Sequence, residues 1–292
     1  MIETSIQQLA HGIDLSIRTC GKRGRPVLMF LHGFPEAAFV WDEYLAHFAK
    51  PENGGYRCIA PNLRGFAGSS SPSDASSYRA KHLVQDIEAL IQSETEQNGQ
   101  LACLVAHDWG GAVAWNLANQ RPHLQKKLVI INSPHPGTFL RELQNSPEQH
   151  AASLYINFLA RPDAPALLAE NDFARLWPFF ENMNAAWLTD SIKDQYREVW
   201  RMGLTGGCNY YASSPLRPDE NIKHLVLPPE MFSITIPTQI IWGMGDIALR
   251  PELLDGLGNY IPDLQIHKID NATHWITHEQ PALVKQLIQS FL

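Results

Sequence analysis

The chain has few cysteines and none of them are clustered. Its four thiols (Cys20, Cys58, Cys103 and Cys208) lie far apart, with no CxxC and no Cys/His grouping. This spacing argues against a zinc module or a secreted disulfide scaffold and fits reduced thiols in the cytoplasm. Positive charge is also scarce. Lys and Arg total 23 against 30 Asp and Glu, a formal charge of −7, and no basic run occurs. Phosphate-backbone binding needs clustered cations, so nucleic acid is a poor partner. Apolar runs are short, for example 27–31 and 128–131. None approaches the roughly 20 residues that span a bilayer, so no membrane association is expected. The first ten residues contain no apolar stretch of the signal-peptide kind. G-x-S-x-G does not occur either, which leaves a serine esterase without a nucleophile.

What is present is ordinary for a globular enzyme: 292 residues, 45% hydrophobic and 18% charged. Strand and helix patterns alternate. A hairpin is expected over 5–21, turning at His11-Gly12. Strand patterns follow at 27–31, 57–60, 101–106 and 127–131, and helical patterns at 37–49, 78–92 and 110–120. This rhythm predicts a mostly parallel α/β sheet flanked by helices. It breaks between 133 and 230, where the texture is polar, aromatic and helical. Strands resume at 240–242 and 265–269, and an amphipathic helix closes the chain over 281–292. The expected organisation is a core of 1–132 and 231–292 with a helical cap, 133–230, inserted after the sixth strand. Connections at the carboxyl ends of strands are where function sits in such sheets.

The strongest local signal is Ala106-His107-Asp108-Trp109-Gly110-Gly111. It has the shape of a nucleophile elbow: buried strand, sharp turn, helix, with small residues around the turn. Asp108 holds the nucleophile position. A carboxylate attacks saturated carbon and forms an ester, which water must then hydrolyse. His32-Gly33-Phe34-Pro35 follows the first core strand. Its turn can aim an amide at an oxyanion, with Phe34 and Trp109 as the two donors. His32, Pro35 and Trp109 are candidate substrate contacts. His274 and Asp246 follow later strands in the order nucleophile, acid, histidine. They fit a base that activates water and the carboxylate that orients it. His107 and His278 are read as structural.

These segments resemble the α/β-hydrolases, and among them the epoxide hydrolases. The matching stretches are HGFP at 32–35, RGFAGSS at 64–70, AHDWGG at 106–111, WGMGD at 242–246 and THW at 273–275. The sequence departs from the commoner GHDWGG only at Ala106. The resemblance implies two cap tyrosines that donate to the epoxide oxygen, and it implies Tyr155 and Tyr211 as that pair, with Tyr210 one residue from the second position. It implies water and a small epoxide as partners, no metal and no organic cofactor, with a homodimer left open.

The alternative is a haloalkane or haloacetate dehalogenase using the same Asp-His-Asp set. Phe34 stands where a halide-donating Asn would be expected, and no arginine follows Asp108 to clamp a carboxylate. A non-catalytic binding protein on this scaffold would be expected to have lost a triad member, and none is lost.

Overall fold

A computed structural model of the chain describes residues 1–95, 99–180 and 185–292. The hairpin forms first: β1 (Glu3–Gln8) pairs antiparallel with β2 (Asp14–Cys20). The next five strands are β3 (Val27–Leu31), β4 (Arg57–Pro61), β5 (Cys103–His107), β6 (Leu128–Ile131) and β7 (Thr238–Gly243). Every residue in them is buried. A strand covered by helices on both faces needs apolar residues at successive positions, which explains continuous runs such as Val-Leu-Met-Phe-Leu in β3. β8 (Leu264–Ile269) completes an eight-stranded sheet in the order β1-β2-β4-β3-β5-β6-β7-β8. β3 to β8 run parallel, and the hairpin joins antiparallel through β2 and β4.

The crossovers are helical: α1 (Asp42–Phe48), α2 (Ala80–Glu94) and α3 (Trp109–Gln120). Two expected helices start later than their periodicity suggested. The stretch from 37 opens as a tight turn, Ala38–Trp41, because Ala37 has no capping side chain and Asn62 Oδ1 takes the Ala38 amide at 2.7 Å. The stretch from 78 is interrupted by the extended Arg79 (φ −63°, ψ 148°), after which α2 begins.

Between β6 and β7 the described residues contain helices and no strand. These are α4 (Pro136–Asn145), α5 (Pro147–Ala152), α6 (Tyr155–Leu159), α7 (Ala164–Phe173), α8 (Asp190–Arg201) and α9 (Thr205–Ser213). α10 (Ile276–Glu279) and α11 (Pro281–Phe291) end the chain. All four cysteines are buried and unbridged. Among the described residues no helix is long and apolar enough to cross a membrane.

α8 ties the helical stretch between β6 and β7 to the turn after β3. Trp200 Nε1 donates to the Pro35 carbonyl at 2.7 Å, and the Tyr196 hydroxyl, one turn earlier, donates to Glu36 Oε1 at 2.7 Å. Both bonds are buried, where a satisfied pair is worth keeping and an orphaned partner costs about 1–3 kcal/mol.

Candidate active site

β5 delivers the chain to Asp108, whose backbone sits at φ 50°, ψ −121°. A side-chain-bearing residue adopts that region rarely, and holding it there costs on the order of 1–3 kcal/mol. The surrounding structure enforces it. A Cβ on Gly33 would fall 2.3 Å from the Asp108 Cβ, and one on Gly110 would fall 2.5 Å from the Leu31 carbonyl oxygen. Bare glycines therefore let the exit of β3, the turn and the start of α3 meet. The Ser133 hydroxyl ties the turn down by donating to the Asp108 carbonyl at 2.6 Å. The outcome is an aspartate held up at the carboxyl edge of the sheet, in the manner of a nucleophile elbow.

Residues distant in sequence converge on it. The Phe34 amide donates to Asp108 Oδ1 at 2.7 Å. Trp109 is the first residue of α3, so its amide has no carbonyl partner inside the helix. His274 Nε2 lies 3.7 Å from Asp108 Oδ2, and its Nδ1 donates to Asp246 Oδ2 at 2.6 Å. Asp246 is saturated with donors. Asn132 Nδ2 reaches Oδ2 at 2.8 Å, and the amides of Ala248 and Leu249 each reach Oδ1 at 2.9 Å. Burial would raise the Asp246 pKa, but the His274 charge and these hydrogen bonds hold it below the ordinary value. Burial likewise pulls His274 down, yet the charge and hydrogen bond of Asp246, with the charge of Asp108, lift it to about 9.

A cavity of about 1140 Å³, its open mouth included, begins at Asp108 and is roofed by α6 and α9. Tyr155 and Tyr211 both line it, their ring centroids 6.1 Å apart. Tyr211 stands edge-on to Trp109 at 5.0 Å and to Phe34 at 5.4 Å. Burial and the Asp108 charge push both phenols above their usual pKa, so both stay protonated as donors at neutral pH. Tyr210 also borders the cavity, but its hydroxyl is spent on the Arg64 carbonyl at 3.0 Å.

Two candidate substrate contacts take other roles. His32 is fully buried and lies outside the cavity lining. Its Nδ1 donates to the Gly33 carbonyl at 2.8 Å, and its Nε2 accepts from the Leu63 amide at 3.1 Å. Burial lowers its pKa to about 4, which keeps the ring neutral and able to do both. Pro35 is also off the lining, and it serves through its carbonyl as the acceptor for Trp200. Trp109 does line the cavity.

His107 and His278 join a buried cluster that the sequence did not disclose. Both approach Glu36, His278 Nε2 at 2.6 Å from Oε1 and His107 Nδ1 at 3.2 Å from Oε2. His107 Nε2 in turn donates to the His274 carbonyl at 2.9 Å. Glu36 stands one residue beyond HGFP, and no local sequence pattern marks it as a buried hub. Asn132, on the acid side of the site, was likewise missed as a partner of Asp246.

A family model described as alpha/beta hydrolase fold matches residues 26–281. The chain belongs to the α/β-hydrolase fold family. Within this α/β-hydrolase group its relatives are consistent. It is 35% identical over 97% of its length to an AB hydrolase superfamily protein, YfhM, of Bacillus subtilis, covering 95% of that protein. It is 31% identical over 96% of its length to epoxide hydrolase 4 of mouse, covering 77% of that protein. Among solved structures, an epoxide hydrolase of Bacillus megaterium with an inhibitor superposes at a TM-score of 0.89, with 29% identity, covering 98% of this chain and 99% of the other.

Proposed function

We propose that this α/β-hydrolase opens epoxides to vicinal diols through an ester formed on Asp108. The observation that carries this reading is that Tyr155 and Tyr211 stand together in the cavity that Asp108 lines, both phenols protonated. The kinship to proteins named epoxide hydrolases supports the same substrate class.

The chemistry follows from charge. An alkoxide is a poor leaving group at neutral pH, so ring opening needs a proton donor at the oxygen. Asp108 attacks an epoxide carbon from the side opposite the C–O bond. That bond breaks, and a phenol of the tyrosine pair protonates the oxygen. His274 then takes a proton from water, and the resulting hydroxide adds to the ester carbonyl. The developing oxyanion sits where Phe34 N–H already donates, with the Trp109 amide as the second donor. Collapse expels the second diol oxygen, which takes the proton held by His274; the proton left on the new Asp108 carboxyl returns to the tyrosinate through solvent, and one water oxygen remains on Asp108. We read 1–132 and 231–292 as the catalytic core and 133–230 as the cap that supplies the tyrosines. Dehalogenation would call for halide-binding N–H donors, and the Phe34 side chain has none to offer.

The reading is tested by one turnover of styrene oxide with enzyme in excess in oxygen-18 water. Label should enter the Asp108 peptide and be missing from the diol. Label in the diol after that single turnover would overturn the ester mechanism.

A further inference from the structure

α9 carries Tyr211 on a helix that depends on its neighbours. It has nine residues, too few for a stable helix in water, and two of them are glycine, a poor helix former. The loop that follows β4 fixes it in place. A Cβ on Gly206 would fall 2.2 Å from the Gly65 Cα, so the two backbones meet with nothing between them. The Tyr210 hydroxyl donates to the Arg64 carbonyl at 3.0 Å, and the Ser213 hydroxyl donates to the Tyr78 carbonyl at 3.0 Å. These two donors are three residues apart on the helix, and Tyr211 lies between them. The direction of the Tyr211 phenol therefore depends on where the carbonyls of residues 64 and 78 stand.

One buried side chain sets both positions. Arg64 Nη1 donates to the Ser77 carbonyl at 2.8 Å, which closes the loop 64–77 on itself beside Tyr78. Arg64 Nε and Nη2 donate to Asp86 Oδ2 and Oδ1 at 2.8 and 2.6 Å, a two-pronged bond that fastens the loop to α2. His11 Nε2 stands 2.7 Å from Asp86 Oδ1 as well. Arg64 and Asp86 are both buried, and neither lines the cavity. The pair lies behind the loop, and the loop lies behind α9.

Building on the epoxide reading, we propose that Arg64, paired with Asp86, is a positioning residue for ring opening: it sets the loop that aims Tyr211, and so acts on ester formation and not on ester hydrolysis. The geometry explains why an arginine stands there. A planar fork gives one carboxylate two N–H groups and a carbonyl a third, all in fixed directions. A lysine keeps the charge and loses those directions. A shift of about 1 Å at a reacting group can cost 10²-fold in rate even when its cause lies far from the chemistry. Tyr210 is one tie among several, so its loss leaves the frame standing. Arg64 holds the frame to which the ties attach.

The experiment is a double-mutant cycle on wild type, Arg64→Lys, Tyr211→Phe and the double variant. Rapid-quench mass measurement with styrene oxide gives the rates of ester formation and ester hydrolysis for each. Arg64→Lys should slow ester formation by about tenfold and leave hydrolysis within about twofold. In the Tyr211→Phe protein the same change should slow ester formation by less than about threefold, because the phenol that it aims is gone. The amount of ester formed per protein counts the folded fraction, so poor folding lowers that amplitude and not the rate constants. Asp86→Asn keeps the shape of the pair and weakens its charge. It should slow ester formation by about threefold with hydrolysis unchanged, and it replaces Arg64→Lys in the cycle if that variant does not fold. Ester formation at the wild-type rate, equal slowing with and without the Tyr211 phenol, or slowing of both steps together overturns this inference and leaves the epoxide reading standing. No ester on the wild-type protein removes the epoxide reading and this inference with it.

Discussion

Glu36 and His278 meet at 2.6 Å although 242 residues separate them in the chain. The contact joins the turn after β3 to the helix that follows His274, and Tyr196 of α8 donates to the same carboxylate oxygen. Burial would raise the Glu36 pKa. The His278 charge, with hydrogen bonds from His107 and His278, instead holds it well below the ordinary value. Three donors from three parts of the chain therefore depend on one buried anion.

Glu36→Gln keeps the shape of that hub and removes its charge. The donors left facing a neutral amide should cost about 1–3 kcal/mol of stability at pH 7. A carboxylate with a depressed folded pKa contributes stability that is present above its unfolded value of about 4.5 and is lost as pH falls through the folded pKa. Denaturant unfolding of wild type and variant should show a gap at pH 7 that shrinks below pH 4.5. A constant gap across that range would mean the charge is not what stabilises the cluster.

His274 makes a kinetic prediction. Its pKa of about 9 is raised in part by the Asp108 charge. Ester formation consumes that charge, so the pKa should fall in the intermediate, where a neutral imidazole is needed to take a proton from water. Formation of the ester should vary little between pH 6 and 8, while its hydrolysis should rise with an apparent pKa below 9. Rapid-quench mass measurement of the alkylated protein separates the two steps. Hydrolysis that titrates at or above 9 would count against this coupling. The same shift stabilises the fold: the gain is complete below about 6.5 and lost as pH rises through about 9.

Some of this site was legible in the sequence because it is carried by local rules. Asp108 stands between a buried strand and a helix start, flanked by glycines, and Asp246 and His274 follow strand ends in the order an elbow enzyme requires. Glu36, Asn132 and Tyr196 could not be read, since their partners lie 71 to 242 residues away and only packing brings them together. His32 and Pro35 misled for a related reason. HGFP does shape the turn beside Asp108, but through the Phe34 amide, while the side chains of His32 and Pro35 are buried off the cavity lining. Helix starts at 42 and 80 also escaped, because a side chain from elsewhere or one extended residue decides them.

The choice between Tyr210 and Tyr211 shows how little separates the two outcomes. Neighbours on a helix point about 100° apart. On α9 that turn sends the Tyr210 hydroxyl to the Arg64 carbonyl at 3.0 Å and leaves Tyr211 facing Tyr155 and Trp109. The three Tyr→Phe variants should therefore part company. Tyr155→Phe and Tyr211→Phe remove a proton donor and should each slow ester formation by about 10²-fold or more, with the double variant slower still. Tyr210→Phe removes a structural hydrogen bond, so it should cost about 1 kcal/mol of stability and leave ester formation within a few-fold of wild type. Single-turnover rates with styrene oxide, set beside unfolding curves, separate the two effects. If Tyr210→Phe is the variant that stops ester formation, the pair has been assigned one residue out of place.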